Sequence, residues 1–290
     1  MQLAGVEGAR CADGTLDVLV PTVDRPDALA VTLGGLLAQD VRARLVVADQ
    51  TFGASVADDP AVAAVLRLLR WRGWRVEVHH RRGPLLGVAE QRQFLLDRAT
   101  AEHALFLDDD VLLEPWALAR LLEAAEVLGC GFVGMGLAAP SHLADVRPHE
   151  HVALDLWDGE VRPERVRKGT RAWERWRLHN AANVQHLTAR LPDGVLPARG
   201  WVAYKVAWVG GCVLYRTAAL RAVGGYGFWR DLPPNLRGED VVAQLLVMEQ
   251  DGGAGLLPSG AWHLELPTTL VDRSVDAYAE VLERDAVAVR

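Results

Sequence analysis

Short apolar runs alternate with amphipathic stretches through the first half of the chain. Leu16–Thr22 is a β-rich run closed by Pro21, and 26–39 carries Leu29, Leu33, Leu36 and Leu37 at helical spacing. Arg44–Asp49 reads as a second strand, 61–72 as a helix, and Arg75–His80 as a short strand with Val76 and Val78 alternating. A helix over 88–101 leads into the apolar run His103–Leu107. A helix over 115–128, with proline in its first turn where proline is tolerated, precedes strand material at 131–137. Four alternations of strand and helix predict an α/β fold with a mostly parallel, doubly wound central sheet.

The rhythm breaks at about 140–205, where Pro, Gly, His and Trp are scattered around one expected helix at 170–191. This stretch has too few regularly spaced apolar positions for a core of its own. It reads as an insertion or lid within one domain spanning 1–290. Beyond it come a strand at 208–215, a short helix at 217–223 and a helix from Glu239 to the pair Gly252-Gly253. Strand material at 256–266 follows, then a C-terminal helical tail within 267–290, its helix expected over 275–287.

The run His103–Leu107 ends abruptly in Asp108-Asp109-Asp110. In an extended chain residues two apart share a side, so Asp108 and Asp110 are expected to converge while Asp109 points away. Converging carboxylates need a positive charge between them, and a hard divalent cation supplies one. A surface acidic turn explains three aspartates equally well. Two other strand ends add polar residues: Pro21-Thr22-Val23-Asp24-Arg25-Pro26 and Asp49-Gln50-Thr51. Open parallel sheets bind ligands outside the carboxyl ends of their strands, so three polar ends on one edge favour a site.

Composition narrows the class. Half the residues are hydrophobic and 24% are charged, a globular balance, while a net charge of −7 argues against a broad nucleic-acid surface. The three cysteines, Cys11, Cys130 and Cys212, form neither a disulfide framework nor a zinc spacing; Cys130 and Cys212 lie in apolar segments and read as buried thiols. No basic-then-apolar leader and no membrane-length run is present, so a soluble, cytoplasmic protein is expected.

No Gly-x-Gly-x-x-Gly follows the first strand and no Walker sequence or Gly-x-Ser-x-Gly elbow appears. Dinucleotide binding, P-loop chemistry and serine hydrolysis are therefore unsupported. Downstream, Gly238-Glu239-Asp240 opens a helix. Acids cap helix starts for dipole reasons, and the same dipole favours the ionised carboxylate that a general base requires.

Pro21-Thr22-x-x-Arg25-Pro26, Asp49, Arg92, Asp108-Asp109-Asp110, Gly210-Gly211, Gly224-Gly225-Tyr226, Gly238-Glu239-Asp240 and His263 occur in that order. Together they resemble the family 2 glycosyltransferases of the GT-A fold, over about 16–137 and 206–266. The resemblance implies an inverting, metal-dependent transfer of a sugar from a nucleotide-diphospho-sugar to an acceptor hydroxyl. Asp240 would be the catalytic base, with Glu239 its rival. Pro21, Thr22, Asp24, Arg25, Asp49, Arg92, Asp108, Asp109, Gly210 and Gly211 would bind the donor. Asp110, Asp108 and His263 would hold Mg²⁺ or Mn²⁺. Two positions depart from the family pattern: Ala48-Asp49-Gln50-Thr51 has a single acid, and Gln93 follows Arg92 where Asn is usual. Both leave the nucleotide open.

The acceptor class, whether small molecule, glycan or lipid-linked, is also open. Seven of the ten tryptophans lie beyond residue 150. Trp173 and Trp176, three apart beside Arg171, Arg175 and Arg177, suit a lid over the acceptor, a homodimer surface or a peripheral membrane contact. His179 and His186 read as surface polar residues. Two further readings remain: a nucleotidyltransferase making sugar nucleotides, although its Gly-rich activating loop is missing, and a catalytically silent nucleotide-sugar-binding module.

Overall fold

The computed structural model describes residues 10–11, 14–269, 272 and 274–283. Its centre is an eight-stranded mixed sheet. In chain order the strands are β1 (Leu16–Thr22), β2 (Arg44–Asp49), β3 (Arg75–His80), β4 (His103–Leu107), β5 (Phe132–Gly134), β6 (Val202–Tyr204), β7 (Cys212–Arg216) and β8 (Gly253–Leu257). Across the sheet they run β6-β8-β5-β7-β4-β1-β2-β3. β4, β1, β2 and β3 are mutually parallel, whereas β7 is antiparallel to both β4 and β5.

The α-helices of six residues or more among the described residues are α1 (Pro26–Leu37), α2 (Pro60–Trp71), α3 (Val88–Arg98), α4 (Ala117–Leu128), α5 (Thr217–Ala222) and α6 (Glu239–Asp251). They cover both faces of the sheet, and the strand sequences show why. Val18 and Val20 of β1 join one core with Leu29, Leu33 and Leu36 of α1 and Leu118 and Leu121 of α4. Leu19, between them, joins the other core with Leu95 and Leu96 of α3 and Val242 and Leu245 of α6. A strand buried on both faces is apolar without alternation, as β1, β2 and β4 are. Cys130 and Cys212 are buried, and burial pushes their thiols up to about 11 and about 12.

Several expectations need correction. The strand expected over 131–137 is broken: β5 ends at Gly134, and Leu137–Ala138 pairs with Ala261–His263 in a separate small sheet. The helix expected over 170–191 is a series of short turns, Trp173–His179, Val184–Leu187 and Thr188–Arg190. Asn183 is one cause: its buried amide donates to Glu150 and to the Arg177 carbonyl, and its Oδ1 pairs with His151. Those tertiary bonds compete with a continuous helix.

Nor do Trp173 and Trp176 present a common open face. Trp173 turns inward against Trp208 and Tyr278, with ring centroids 5.0 and 5.1 Å away, while Trp176 is exposed. His179 is not a surface residue: its Nε2 meets Tyr204 Oη at 2.8 Å, and burial pushes its pKa down to about 4. His186 likewise carries a buried Nε2.

Residues 140–205 are built into the fold, burying Val166, Leu178 and Leu187 in the second core and supplying edge strand β6. Of the tail helix expected over 275–287, Val275–Asp276 pairs as strand with Leu236–Arg237 and Ala279–Glu283 forms a π-helical turn; 284–290 lies outside the described residues. Among the described residues no helix is long and apolar enough to cross a membrane.

Candidate active site

The parallel course of β1, β2 and β4 brings their carboxyl ends to one edge, with Thr22 and Asp49 in register. A cleft of about 600 Å³ opens there. Its walls include Thr22, Arg25, Arg92, the triplet Asp108-Asp109-Asp110, Glu239, Asp240 and His263.

Pro26 starts α1, so Arg25 sits at the turn between β1 and the helix. Its guanidinium donates to Asp109 Oδ1 at 3.0 Å and to Asp110 Oδ2 at 2.8 Å. Thr22 Oγ1 donates to Asp109 Oδ2 at 2.6 Å, and Thr32 Oγ1 to the Asp109 carbonyl at 2.8 Å. Burial raises Asp109 to about 6, against the pull of Thr22 and Arg25. The triplet thus divides differently from the expected pairing of Asp108 with Asp110. β4 ends at Leu107 and the aspartates enter a turn, where the two-residue alternation of a strand no longer applies.

Asp108 faces Arg92 of α3, whose Nη2 donates to Oδ1 at 2.6 Å while Nε donates to Glu239 Oε1 at 3.1 Å. Burial opposes the charge on Arg92, but Asp108 and Glu239 outweigh it and raise its pKa. Gly238 takes the left-handed conformation, φ 80°, that turns the chain into α6. Glu239 is buried and pushed up to about 7 by that burial, with Asp240 adding and Arg92 opposing. Burial also raises Asp240, Arg92 again opposing. Here the helix-start dipole is outweighed by desolvation. Asp240 is half-buried on the cleft wall; backbone N–H groups at the start of α6, its own and that of Val241, reach its carboxylate, and among the described residues no side chain hydrogen-bonds it.

His263 reaches the triplet because Ala261–His263 pairs antiparallel with Val111–Leu113 and Leu264 N donates to the Asp110 carbonyl at 2.9 Å. Its Nδ1 accepts from Glu265 N at 3.0 Å, so Nε2 carries the proton and faces Asp110 Oδ2 at 3.4 Å. This bond raises the His263 pKa. At Asp110 burial works upward, but His263 and Arg25 outweigh it and lower the pKa. Among the described residues no three His, Cys, Asp or Glu side chains are grouped to cage a metal by themselves. Of the three expected ligands, Asp110 and His263 stand together while Asp108 turns to Arg92. A carboxylate beside an imidazole suits Mg²⁺ or Mn²⁺ in kind, with ligand oxygens from a bound phosphate completing the shell.

The other expected residues serve the framework. Asp49 accepts from Thr51 N, Ser55 Oγ and Val56 N, which consumes its carboxylate in shaping its own loop. Asp24, at φ 54°, accepts from Phe52 N and donates its own N–H to Thr51 Oγ1, tying the first two strand ends together. Pro21 lines the cleft. Gly211 lies behind Asp108: its carbonyl accepts from Asp108 N at 2.9 Å, and a Cβ there would stand 3.3 Å from Asp108 Oδ2. Gly210 precedes it outside the cleft wall. Gln93 accepts from Tyr226 N at 2.8 Å, which accounts for its place beside Arg92.

Gln50, named in the sequence only as part of a polar strand end, lines the cleft; sequence reasoning missed Leu85 and Gly87, and Pro234, Asn235 and Arg237, which line it too. The only signal for the last was its position just before Gly238. Among the described residues, none of those lining this cleft comes from 140–205; Pro234, Asn235, Arg237, Leu266, Thr268 and Thr269 line it.

A family model described as Glycosyl transferase family 2 matches residues 17–189, more than half of the chain. No curated protein matches the sequence. Among solved structures, S. aureus TarS 1–349 matches at a TM-score of 0.53 and 15% identity, over 86% of this chain and 60% of that one. S. aureus TarS matches at 0.55 and 16% identity, over 95% of this chain and 39% of the other. TarS 1–349 in complex with UDP-GlcNAc matches at 0.52 and 14% identity, over 88% and 59%. At these identities the likeness is one of fold, and the chain spans 60% or less of each TarS chain. With the family model, the sheet order and the cleft at its carboxyl edge in agreement, the chain belongs to glycosyltransferase family 2 and has the GT-A fold.

Proposed function

We propose that this chain transfers a sugar from a nucleoside-diphosphate sugar to an acceptor hydroxyl, with inversion at the anomeric carbon. The observation that carries this reading is the division of labour between two adjacent acids. Glu239 is engaged by the Arg92 side chain, whereas Asp240 lines the cleft with, among the described residues, only backbone N–H groups of α6 on its carboxylate. A base must be ionised yet near its proton-transfer range, and the raised pKa of Asp240 moves it that way. One such base is enough when the acceptor oxygen attacks the anomeric carbon from the face opposite the departing diphosphate.

Charge favours a divalent cation. The cleft is lined by five carboxylates, of Asp108, Asp109, Asp110, Glu239 and Asp240, and by Arg25, Arg92 and Arg237. Arg25 and Arg92 are already paired with these acids. A diphosphate entering there needs added positive charge. Asp110 and His263 would hold Mg²⁺ or Mn²⁺, which when bound supplies Lewis-acid stabilisation of the leaving diphosphate. Thr22, Arg25 and Arg92 would position the donor, Asp108 taking the ribose side.

The test is to incubate the protein with UDP-, GDP- and dTDP-sugars and a panel of glycan, polyol and lipid-phosphate acceptors, with Mn²⁺ or with EDTA. Release of nucleoside diphosphate with Mn²⁺, and a product whose anomeric configuration by NMR is opposite to that of the donor, is the expected result. Retention of configuration, or equal turnover in EDTA, would overturn the inverting or the metal-dependent part.

A further inference from the structure

Gln50 is the residue of the cleft that neither the family pattern nor the catalytic reading accounts for. It follows Asp49 at the end of β2, lines the cleft and is 5% exposed. Its backbone N–H donates to the Thr22 carbonyl at 3.1 Å, which fixes where the side chain starts. Its Nε2 donates to Glu90 Oε2 at 3.1 Å. Glu90, in the first turn of α3, is in turn gripped at both oxygens by Arg81, at 2.5 and 2.6 Å. Arg81 is anchored as well: its backbone N–H donates to the Asp49 carbonyl at 2.7 Å, and its guanidinium lies 3.9 Å from the Phe94 ring centroid.

This chain of contacts decides which end of the amide faces the cleft. A carboxylate only accepts hydrogen bonds, so Glu90 holds the NH₂ end of Gln50. The amide oxygen is left over. Among the described residues none donates to it, and it is not sealed from the cleft as the buried unpaired atoms of the fold are. The cleft therefore offers, at the end of β2, one preset acceptor with its orientation locked from behind.

We propose that Gln50 selects the donor's nucleobase, its Oε1 accepting a hydrogen bond from a ring N–H, with Glu90 and Arg81 as the positioning residues that set this polarity. The inference rests on the nucleoside-diphosphate-sugar reading above. Bases that present a ring N–H beside a carbonyl are uracil and thymine, through N3–H, and guanine, through N1–H. Cytosine and adenine present an unprotonated ring nitrogen at the equivalent place, setting lone pair against lone pair. To meet that ring nitrogen with a donor Gln50 would have to turn its amide over and place its oxygen against the Glu90 carboxylate; without the turn only the exocyclic amino group of these bases can donate to Oε1.

Isothermal titration of the full chain with UDP, dTDP, GDP, CDP and ADP, in Mn²⁺ and again in EDTA, tests this. The wild type should bind at least one of UDP, dTDP and GDP about tenfold or more tighter than CDP and ADP, the usual worth of one matched base contact. Gln50→Leu should keep diphosphate binding and lose the preference. Glu90→Met removes the acceptor that fixes the amide and leaves Gln50 free to present either end, so it should narrow the gap between UDP and CDP even if Gln50→Leu does not fold. Tightest binding of CDP or ADP, or a wild-type ratio kept in both variants, overturns the inference while leaving the donor reading standing. Failure of the wild type to bind any of the five overturns the donor reading, and this inference with it.

Discussion

Arg92 joins Asp108, just beyond β4, to Glu239, at the start of the helix that carries the proposed base. Replacing it with methionine keeps most of the side chain's bulk and removes the cation that Asp108 and Glu239 share. The two limbs are unequal. On the Glu239 side both groups are nearly enclosed, with side-chain exposures of 6% for Arg92 and 8% for Glu239, whereas Asp108 is 35% exposed. Removing one partner of a buried pair costs about 3–5 kcal/mol, while a pair at the surface is worth about 0–1 kcal/mol.

Most of the loss should therefore come from Glu239, and it should depend on pH. Glu239 titrates at about 7 in the folded chain against an ordinary 4.5. Between those values the folded chain holds a proton that the unfolded chain releases. The contribution is thus full below 4.5 and is lost as pH rises through 7. At pH 5.5 Glu239 is neutral with or without Arg92, and Arg92→Met should cost about 1 kcal/mol, the Asp108 limb alone. At pH 8 wild-type Glu239 is ionised and paired, but the variant can keep it protonated, so linkage limits the added loss to about 1.4 kcal/mol and the same substitution should cost about 2–3 kcal/mol. That is a large share of the about 5–15 kcal/mol typical of a folded domain. Urea unfolding followed by tryptophan fluorescence at the two pH values measures both. Adding Glu239→Gln should recover most of the difference at pH 8. Equal losses at the two pH values, or less than about 1 kcal/mol at pH 8, would refute the reasoning.

Asp240→Asn keeps the shape and removes the basic oxygen, so turnover should fall by roughly 10²–10⁴ with donor affinity nearly intact; an active Asp240→Asn beside an inactive Glu239→Gln would exchange their roles. Asp110→Ala should abolish the Mn²⁺-dependent part of nucleotide binding, and an affinity equal to wild type both with and without chelator would remove the metal from the reading. Gly255 lies under the Tyr204 ring, where a Cβ would overlap the aromatic carbons. Gly255→Ala should thus cost about 1–3 kcal/mol in a thermal or urea melt, and an unchanged melt would show that β8 and β6 give way there.

The catalytic candidates were legible in unequal measure. Asp240, Asp110 and His263 were singled out by the order of short motifs, and all three line one cleft. Asp49 was singled out by the same means, yet its carboxylate is spent on Thr51, Ser55 and Val56. A strand-end acid reads the same in sequence whether it faces a ligand or caps its own loop. Gln50 stood in the sequence only as part of a polar strand end with no role of its own, because an amide acquires a functional direction only from its partner, and Glu90 lies 40 residues away.

The sequence by itself determined the longer strands and helices between Leu16 and Leu128, the helix starts at Pro26 and Gly238 and the helix end at Gly252, and the burial of β1, β2 and β4 on both faces. Those are local matters: spacing of apolar side chains, the fixed φ of proline, the freedom of glycine. It did not determine which cation meets which acid. Arg25 pairs with Asp109 across 84 residues and Arg92 with Glu239 across 147. Nor could periodicity foresee that 170–191 would break into turns, since Asn183 is claimed by Glu150 and by His151, 33 and 32 residues away. Charged and amide groups take whichever partner the assembled fold brings within about 3 Å, because an unpaired one in a buried site is costly. That selection is made only when the sheet has closed.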